Sequence, residues 1–244
     1  MKNIALLSKD KENVDLSSLI LMPQLEEVSL IGDFSGIEEF FKKESSIRIL
    51  RINFDKESFD LNLLSLLPNL EILDINGKVT NFDYFSKNPK IRVIIQYPSK
   101  KFLECIQGVD KIDCTQLLLN VNKCLDLKIL NKFPNLSLLS LSGKFENYEE
   151  IPKLKNLKAL RLFISENDTS ILEKLMTDKL EYLIIQGDGG MSREKIWMIE
   201  DLSFIEKACN LKILELRGFV FSVILYFFGE NLSIVQENKC KRKP

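Results

Sequence analysis

The sequence has 244 residues, 45% of them apolar and 28% charged, enough to bury a sizeable core in one or two domains. Lysine and arginine number 34 against 35 aspartates and glutamates, so no basic excess points to nucleic acid and no charge block marks an interaction tail. Histidine is absent, which removes the usual general base, the Ser-His and Cys-His nucleophile pairs and every histidine metal site; no enzyme, metal or cofactor is expected.

The chain opens MKNIALLSKDKENVD, where a four-residue apolar run sits between charges; a secretory signal needs a longer stretch, and none is predicted. Residues 1–24 are expected to form a partial coil. From there a template L-x-x-L-x-L recurs, its first position at Leu25, Ile47, Leu70, Ile91, Cys114, Leu136, Leu157, Leu180 and Leu211. The clearest copies read PNLEILDI at 68–75, PNLSLLSL at 134–141, KNLKALRL at 155–162 and CNLKILEL at 209–216. Intervals are 21 to 23 residues, apart from a last one of 31, and weaker echoes lie 21 residues outside each end, at Ile4 and Leu232. Of 27 template positions 26 are apolar, Gln96 being the exception, against about twelve expected from the 45% apolar content, so the repeat is real.

Alternation at the fourth and sixth template positions is strand-like, with one face turned inward. One short strand cannot bury that face alone, so the nine coils over 25–231 must stack and share a core. Between strands the apolar spacing changes to three, as in Phe34, Ile37, Phe40, or Val79, Phe82, Phe85, or Phe145, Tyr148, Ile151. That spacing suits short helical or 3₁₀ turns. Stacked strands predict a parallel sheet on the order of 40 Å long. The bulkier helical side should place the strands on the concave face of a curved stack.

The 31-residue interval holds an enlarged insertion, 186–204, in which Gly187, Gly189 and Gly190 permit a flexible turn. Ile196, Ile199 and Leu202 then predict an amphipathic helix. No G-K-[ST] follows the glycines, so a phosphate-binding loop does not fit. The apolar run FVFSVILYFF at 219–228 is too short to span a bilayer, which takes about 20 residues in a helix. It is expected to back the last coil, in a monomer, with weak self-association through this end as the alternative. Residues 232–244 form a basic tail ending NKCKRKP, read as a solvated end, with a nuclear signal or lipidated anchor as alternatives. Five cysteines, at 105, 114, 124, 209 and 240, show no C-x-x-C pair. Mostly buried, reduced thiols in an intracellular, cytoplasmic or nuclear protein are expected.

On the repeated L-x-x-L-x-L, the chain resembles a leucine-rich repeat protein of the short class, with repeats of about 22 residues. The resemblance implies an α/β leucine-rich repeat solenoid over 1–244, with a parallel sheet on the concave face and short helices or 3₁₀ turns on the convex one. It also implies protein recognition. The family's asparagine at the ninth position is mostly replaced: Asp33, Asp55, Lys78, Ser99, Asn122, Lys144, Ser165, Asp188 and Phe219 stand there, and only Asn122 complies. The turns are therefore expected to be irregular.

The third, fifth and seventh template positions should face outward, where Val93, Ile95, Tyr97 and Leu118 would form an apolar patch on the middle strands. Arginine and aromatic residues are favoured interface anchors, so Arg51, Tyr97, Arg161, Phe163, Tyr182 and Arg217 are the candidate partner contacts, with Asp74 and Glu215 supplying complementary charge. The leading expectation is a non-catalytic scaffold that binds a protein partner on the concave face. A regulatory subunit docking on an enzyme such as a phosphatase, and a surface or secreted adhesion module, are the alternatives.

Overall fold

The computed structural model describes residues 3–8, 14–18, 25–43, 46–88, 90–164, 170–187, 197–199, 205, 207–217, 219–221 and 233–237. They pack as two compact units, Met1–Leu119 with Lys132–Pro134, and Asn120–Asn131 with Asn135–Pro244.

In the first unit the strands Asn3–Leu7, Glu27–Ile31, Ile49–Asp60, Ile72–Thr80, Arg92–Gln96 and Gln116–Asn120 follow one another in chain order. Each pairing from Asn3–Leu7 to Arg92–Gln96 is parallel. In the second unit Leu138–Ser142, Ala159–Ile164, Tyr182–Gly187, Ile213–Arg217 and Ser233–Glu237 do the same. The register advances by one coil per strand: Leu30 pairs with Ile52 and Ile52 with Ile75, as Leu141 pairs with Leu162 and Leu162 with Ile185.

Each of the nine coils anchored from Leu25 to Leu211 sends two ladder residues inward. Val28 and Leu30, Leu73 and Ile75, Leu139 and Leu141, and Leu214 and Leu216 are all at most 1% exposed. Burial of each such side chain contributes about 1.5–3 kcal/mol, and none could be buried by its own coil. Each unit has the α/β leucine-rich repeat fold that the resemblance implies, with parallel strands one per coil and short returns between them.

The returns are short, as expected from apolar spacings of three. Ile37–Lys43, Tyr84–Lys87, Lys100–Gln107 and Ser170–Leu175 are α-helical, while Leu16–Ser18, Leu61–Leu66, Leu127–Lys132 and Tyr148–Lys153 are 3₁₀ turns. Lys100–Gln107 starts where the Ser99 hydroxyl accepts the Phe102 amide at 3.2 Å, and it buries Phe102 and Ile106. Three 3₁₀ turns start instead beside an aspartate. Asp15, Asp60 and Asp126 accept the amides of Ser17, Asn62 and Lys128 at 2.9, 2.8 and 2.8 Å. Among the described residues, no helix is long and apolar enough to cross a membrane.

Four expectations need correction. First, the coil anchored at Ile91 is one residue short. Val93 pairs with Leu73 and is 2% exposed, as is Ile95, while Ile91 is also buried. This coil therefore reads L-x-L-x-L, and Ile91, Val93 and Ile95 enter the core while Ile94 and Gln96 turn outward. Gln96 stands out in the template for this reason, and the expected patch of Val93, Ile95, Tyr97 and Leu118 does not form.

Second, Trp197–Ile199 is a strand paired in parallel with Phe219–Phe221. Aromatic and β-branched residues on both segments favour that pairing over the predicted helix; Ile196, Leu202, residues 222–228 and the tail NKCKRKP lie outside the described residues. Third, the weak outer echoes are strands, but in other registers: Ile4 pairs with Val28, and Ile234 with Leu214. Fourth, of the four described cysteines only Cys114 is buried, whereas Cys105 is half-buried and Cys124 and Cys209 are exposed.

Candidate functional site

Alternation sends residues two apart in a strand to the same face, so each unit presents an outward sheet surface of third, fifth and seventh template positions. In the first unit that surface is largely paired with itself. The Arg51 guanidinium touches the Glu27 carboxylate and lies 3.9 Å from Asp74. Gln96 Nε2 donates to Asp74 Oδ2 at 2.8 Å, and Arg92 Nε to Gln116 Oε1 at 3.0 Å. Partial burial raises the Asp74 pKa, against the pull of Arg51 and of the Gln96 bond. One polar chain, Glu27–Arg51–Asp74–Gln96, thus crosses four neighbouring strands, and its one cation is already held by two carboxylates.

The second unit differs. Arg161 is half-buried, with its guanidinium 4.6 Å from the centre of the Phe163 ring, a cation–π geometry. Its Nη2 reaches Gln186 Oε1 at 3.5 Å, while Nε is buried without an acceptor. On the next strands Tyr182 stands opposite Ile213, 40% and 36% exposed. Ile184 lies between Arg161 and Glu215 in the register. The result is an apolar and aromatic strip holding one incompletely satisfied cation.

At the start of the strands a second feature appears. Lys158 Nζ and Lys212 Nζ approach opposite oxygens of Glu181 at 3.0 and 2.6 Å. In the first unit Arg48 forks onto Glu71 with two bonds of 2.9 Å. The Lys212 and Lys158 bonds, in that order, hold the Glu181 carboxyl below its ordinary pKa, and the Arg48 bond does the same for Glu71. These residues occupy the second template position, which reads Glu26, Arg48, Glu71 and later Lys158, Glu181, Lys212. Within each run signs alternate from coil to coil, so charged neighbours across the strand spacing attract, while Thr115 and Ser137 between the runs are uncharged. Around Lys158, Glu181 and Lys212 lies an open groove of about 470 Å³, completed by Ser137, Lys155, Asn156, Lys179 and Asn210.

Of the candidate contacts, Arg51 and Asp74 sit together on the first unit's outward face, within its polar chain. Arg161, Phe163, Tyr182 and Glu215 share the outward face of the second unit, and Arg217 occupies the matching backbone position beside Gln186. Tyr97 is off the face. It follows the Arg92–Gln96 strand with φ of 48° and is 53% exposed, and its carbonyl accepts Asn76 Nδ2 at 3.2 Å. Sequence reasoning missed Ile213, Ile184 and the charge ladder. The ladder was readable, because its signs alternate at one fixed template position.

No protein-family model and no curated protein matches the sequence. Among solved structures the chain is similar to an internalin (inlF) from Listeria monocytogenes, 19% identical over 85% of this chain, with a TM-score of 0.43. It is similar also to internalin C2 of that organism, 15% identical over 87% of this chain and 80% of that one, with a TM-score of 0.34. A third similar structure is the mouse RP105/MD-1 complex, 14% identical over 80% of this chain, with a TM-score of 0.42. The chain spans 65% of the first internalin and 35% of the mouse chain. These likenesses are distant, and the fold assignment rests on the strand order, register and buried ladder described above.

Proposed function

We propose that this chain is a non-catalytic scaffold that binds a protein partner through the outward sheet face of its second unit. The observation that carries the reading is Arg161, stacked on Phe163 with one guanidinium N–H lacking an acceptor, beside the exposed pair Tyr182 and Ile213. Arginine and tyrosine at the centre of an apolar patch are the usual anchors of a protein interface. A buried donor without a partner is costly, and turning the guanidinium toward an acceptor supplied by the partner would relieve it. The first unit's face is a weaker candidate because Arg51 and Asp74 are engaged within the sheet. Exposed unpaired thiols at Cys124 and Cys209 support a reducing compartment.

Quantitative affinity capture from extracts of native cells tests the reading. The double variant Arg161→Glu, Tyr182→Ser should reduce capture of the specific partner by at least about tenfold. Arg51→Gln should retain it, and both variants should melt cooperatively. Equal capture by wild type and the double variant would remove this face from the site.

A further inference from the structure

The groove at the start of the second unit's strands has a charge of its own. Four lysines line it, Lys155, Lys158, Lys179 and Lys212, against one carboxylate, Glu181. Lys158 and Lys212 already share that carboxylate. Lys155 and Lys179 are exposed, and among the described residues neither is paired with a carboxylate. A concave surface lined by one sign of charge concentrates the field at its mouth and attracts the opposite sign.

The groove also adjoins the apolar strip. Lys158, Glu181 and Lys212 each immediately precede Ala159, Tyr182 and Ile213, the third-position row of the outward face. The Lys212 ammonium is held above its ordinary pKa first by the Glu181 hydrogen bond. Cationic and apolar surfaces are therefore continuous.

We propose that this groove receives a carboxylate-rich, partly apolar peptide segment of the protein partner. Lys155 and Lys179 attract its acidic side chains, and Tyr182 and Ile213 receive its apolar ones. The proposal rests on the reading of the second unit as a protein-binding surface and specifies the partner's chemistry. A nucleic acid fits less well. Among the described residues, the groove lining contains no arginine to fork onto phosphate and no aromatic ring on which a base could stack. The adjoining strip would stay uncovered by a phosphate backbone.

Fluorescence anisotropy with the full chain tests this, using a fluorescein-labelled synthetic peptide of glutamate pairs separated by single leucines. Saturable binding that weakens as salt rises is expected. The variant Lys155→Glu, Lys179→Glu should weaken it at least about tenfold, and replacing the leucines by serine should weaken it as well. Lys155→Gln, Lys179→Gln, with an unchanged melting curve, guards against a folding defect and should show a smaller loss in the same direction. No peptide binding, or equal binding by wild type and both lysine variants, would overturn the proposal. Tighter binding of a single-stranded oligonucleotide or of phosphatidylserine vesicles than of the peptide would also overturn it. If the lysine variants keep partner capture while Arg161→Glu, Tyr182→Ser loses it, the groove is excluded and the sheet-face reading stands.

Discussion

At Gly77 the backbone turns with φ of 89°, and a Cβ there would collide with the carbonyl oxygen of Phe54 in the preceding coil. Gly143 repeats the arrangement against Val121, with φ of 121°. Both glycines hold the eighth template position, Gly77 within its strand opposite Phe54 and Gly143 just after the Leu138–Ser142 strand. Gly77→Ala should therefore destabilise the protein by about 1–3 kcal/mol through a strained φ and displaced backbone. A urea melt measures this, and a loss below about half a kcal/mol would mean that the turn relaxes freely. The glycines were visible in the sequence at this fixed position, yet the repeat was read only through its apolar residues. Ile91 shows the opposite difficulty. Placing Ile91, Ile94 and Gln96 inward, or Val93 and Ile95 instead, scores almost equally on hydrophobicity alone, and only pairing with Leu73 separates the two.

Between elements, polar residues set the path of the chain as firmly as the apolar ladder does. Asp126 accepts the Lys128 amide at 2.8 Å and Asn147 Nδ2 from the next coil at 2.7 Å, while Asp60 takes Asn62 and Asn81 in the same way, both at 2.8 Å. Asn81 and Asn147 adopt φ of 63° and 60°, a conformation asparagine tolerates better than most residues. The aspartate thus opens a 3₁₀ turn and ties it to the next coil. Asn76 adds a second tie, its Oδ1 accepting the Ser99 amide at 2.9 Å. The Asp126 pKa is lowered, first by the Asn147 bond and next by the Lys128 amide. Its contribution to stability is present above the unfolded carboxylate pKa and fades as pH falls through the lower folded value. Asn147→Gly removes the bond and keeps the backbone turn, so carbon-detected NMR titration should find the Asp126 pKa moved upward. An unmoved pKa would show that Asn147 does not hold the carboxylate. Aspartate and asparagine spaced 21 residues apart were present in the sequence, but only the turn geometry gives them a common role.

For the molecule as a whole, the strands, their parallel order and the short returns were legible because each coil must bury the same face against its neighbour. Where that constraint weakens, the sequence was less informative. Trp197–Ile199 lies in the one enlarged coil, where apolar spacing fits a helix or a strand and the Phe219–Phe221 partner decides. The candidate site was legible in part: Arg161, Phe163, Tyr182 and Glu215 do share a face, whereas Tyr97 left it when its coil lost one residue. On the outward sheet face, unlike the second-position ladder, charge pairing was unreadable, since Arg51 looks identical to Arg161 until Glu27 and Asp74 are placed beside it. The central claim is that the partner covers the second unit's outward face. Hydroxyl-radical footprinting of the chain with and without its captured partner tests it most directly. Labelling of Phe163 and Tyr182 should fall severalfold in the complex, with Tyr97 unchanged. Equal labelling of Phe163 and Tyr182 in the free and bound chain would contradict the account.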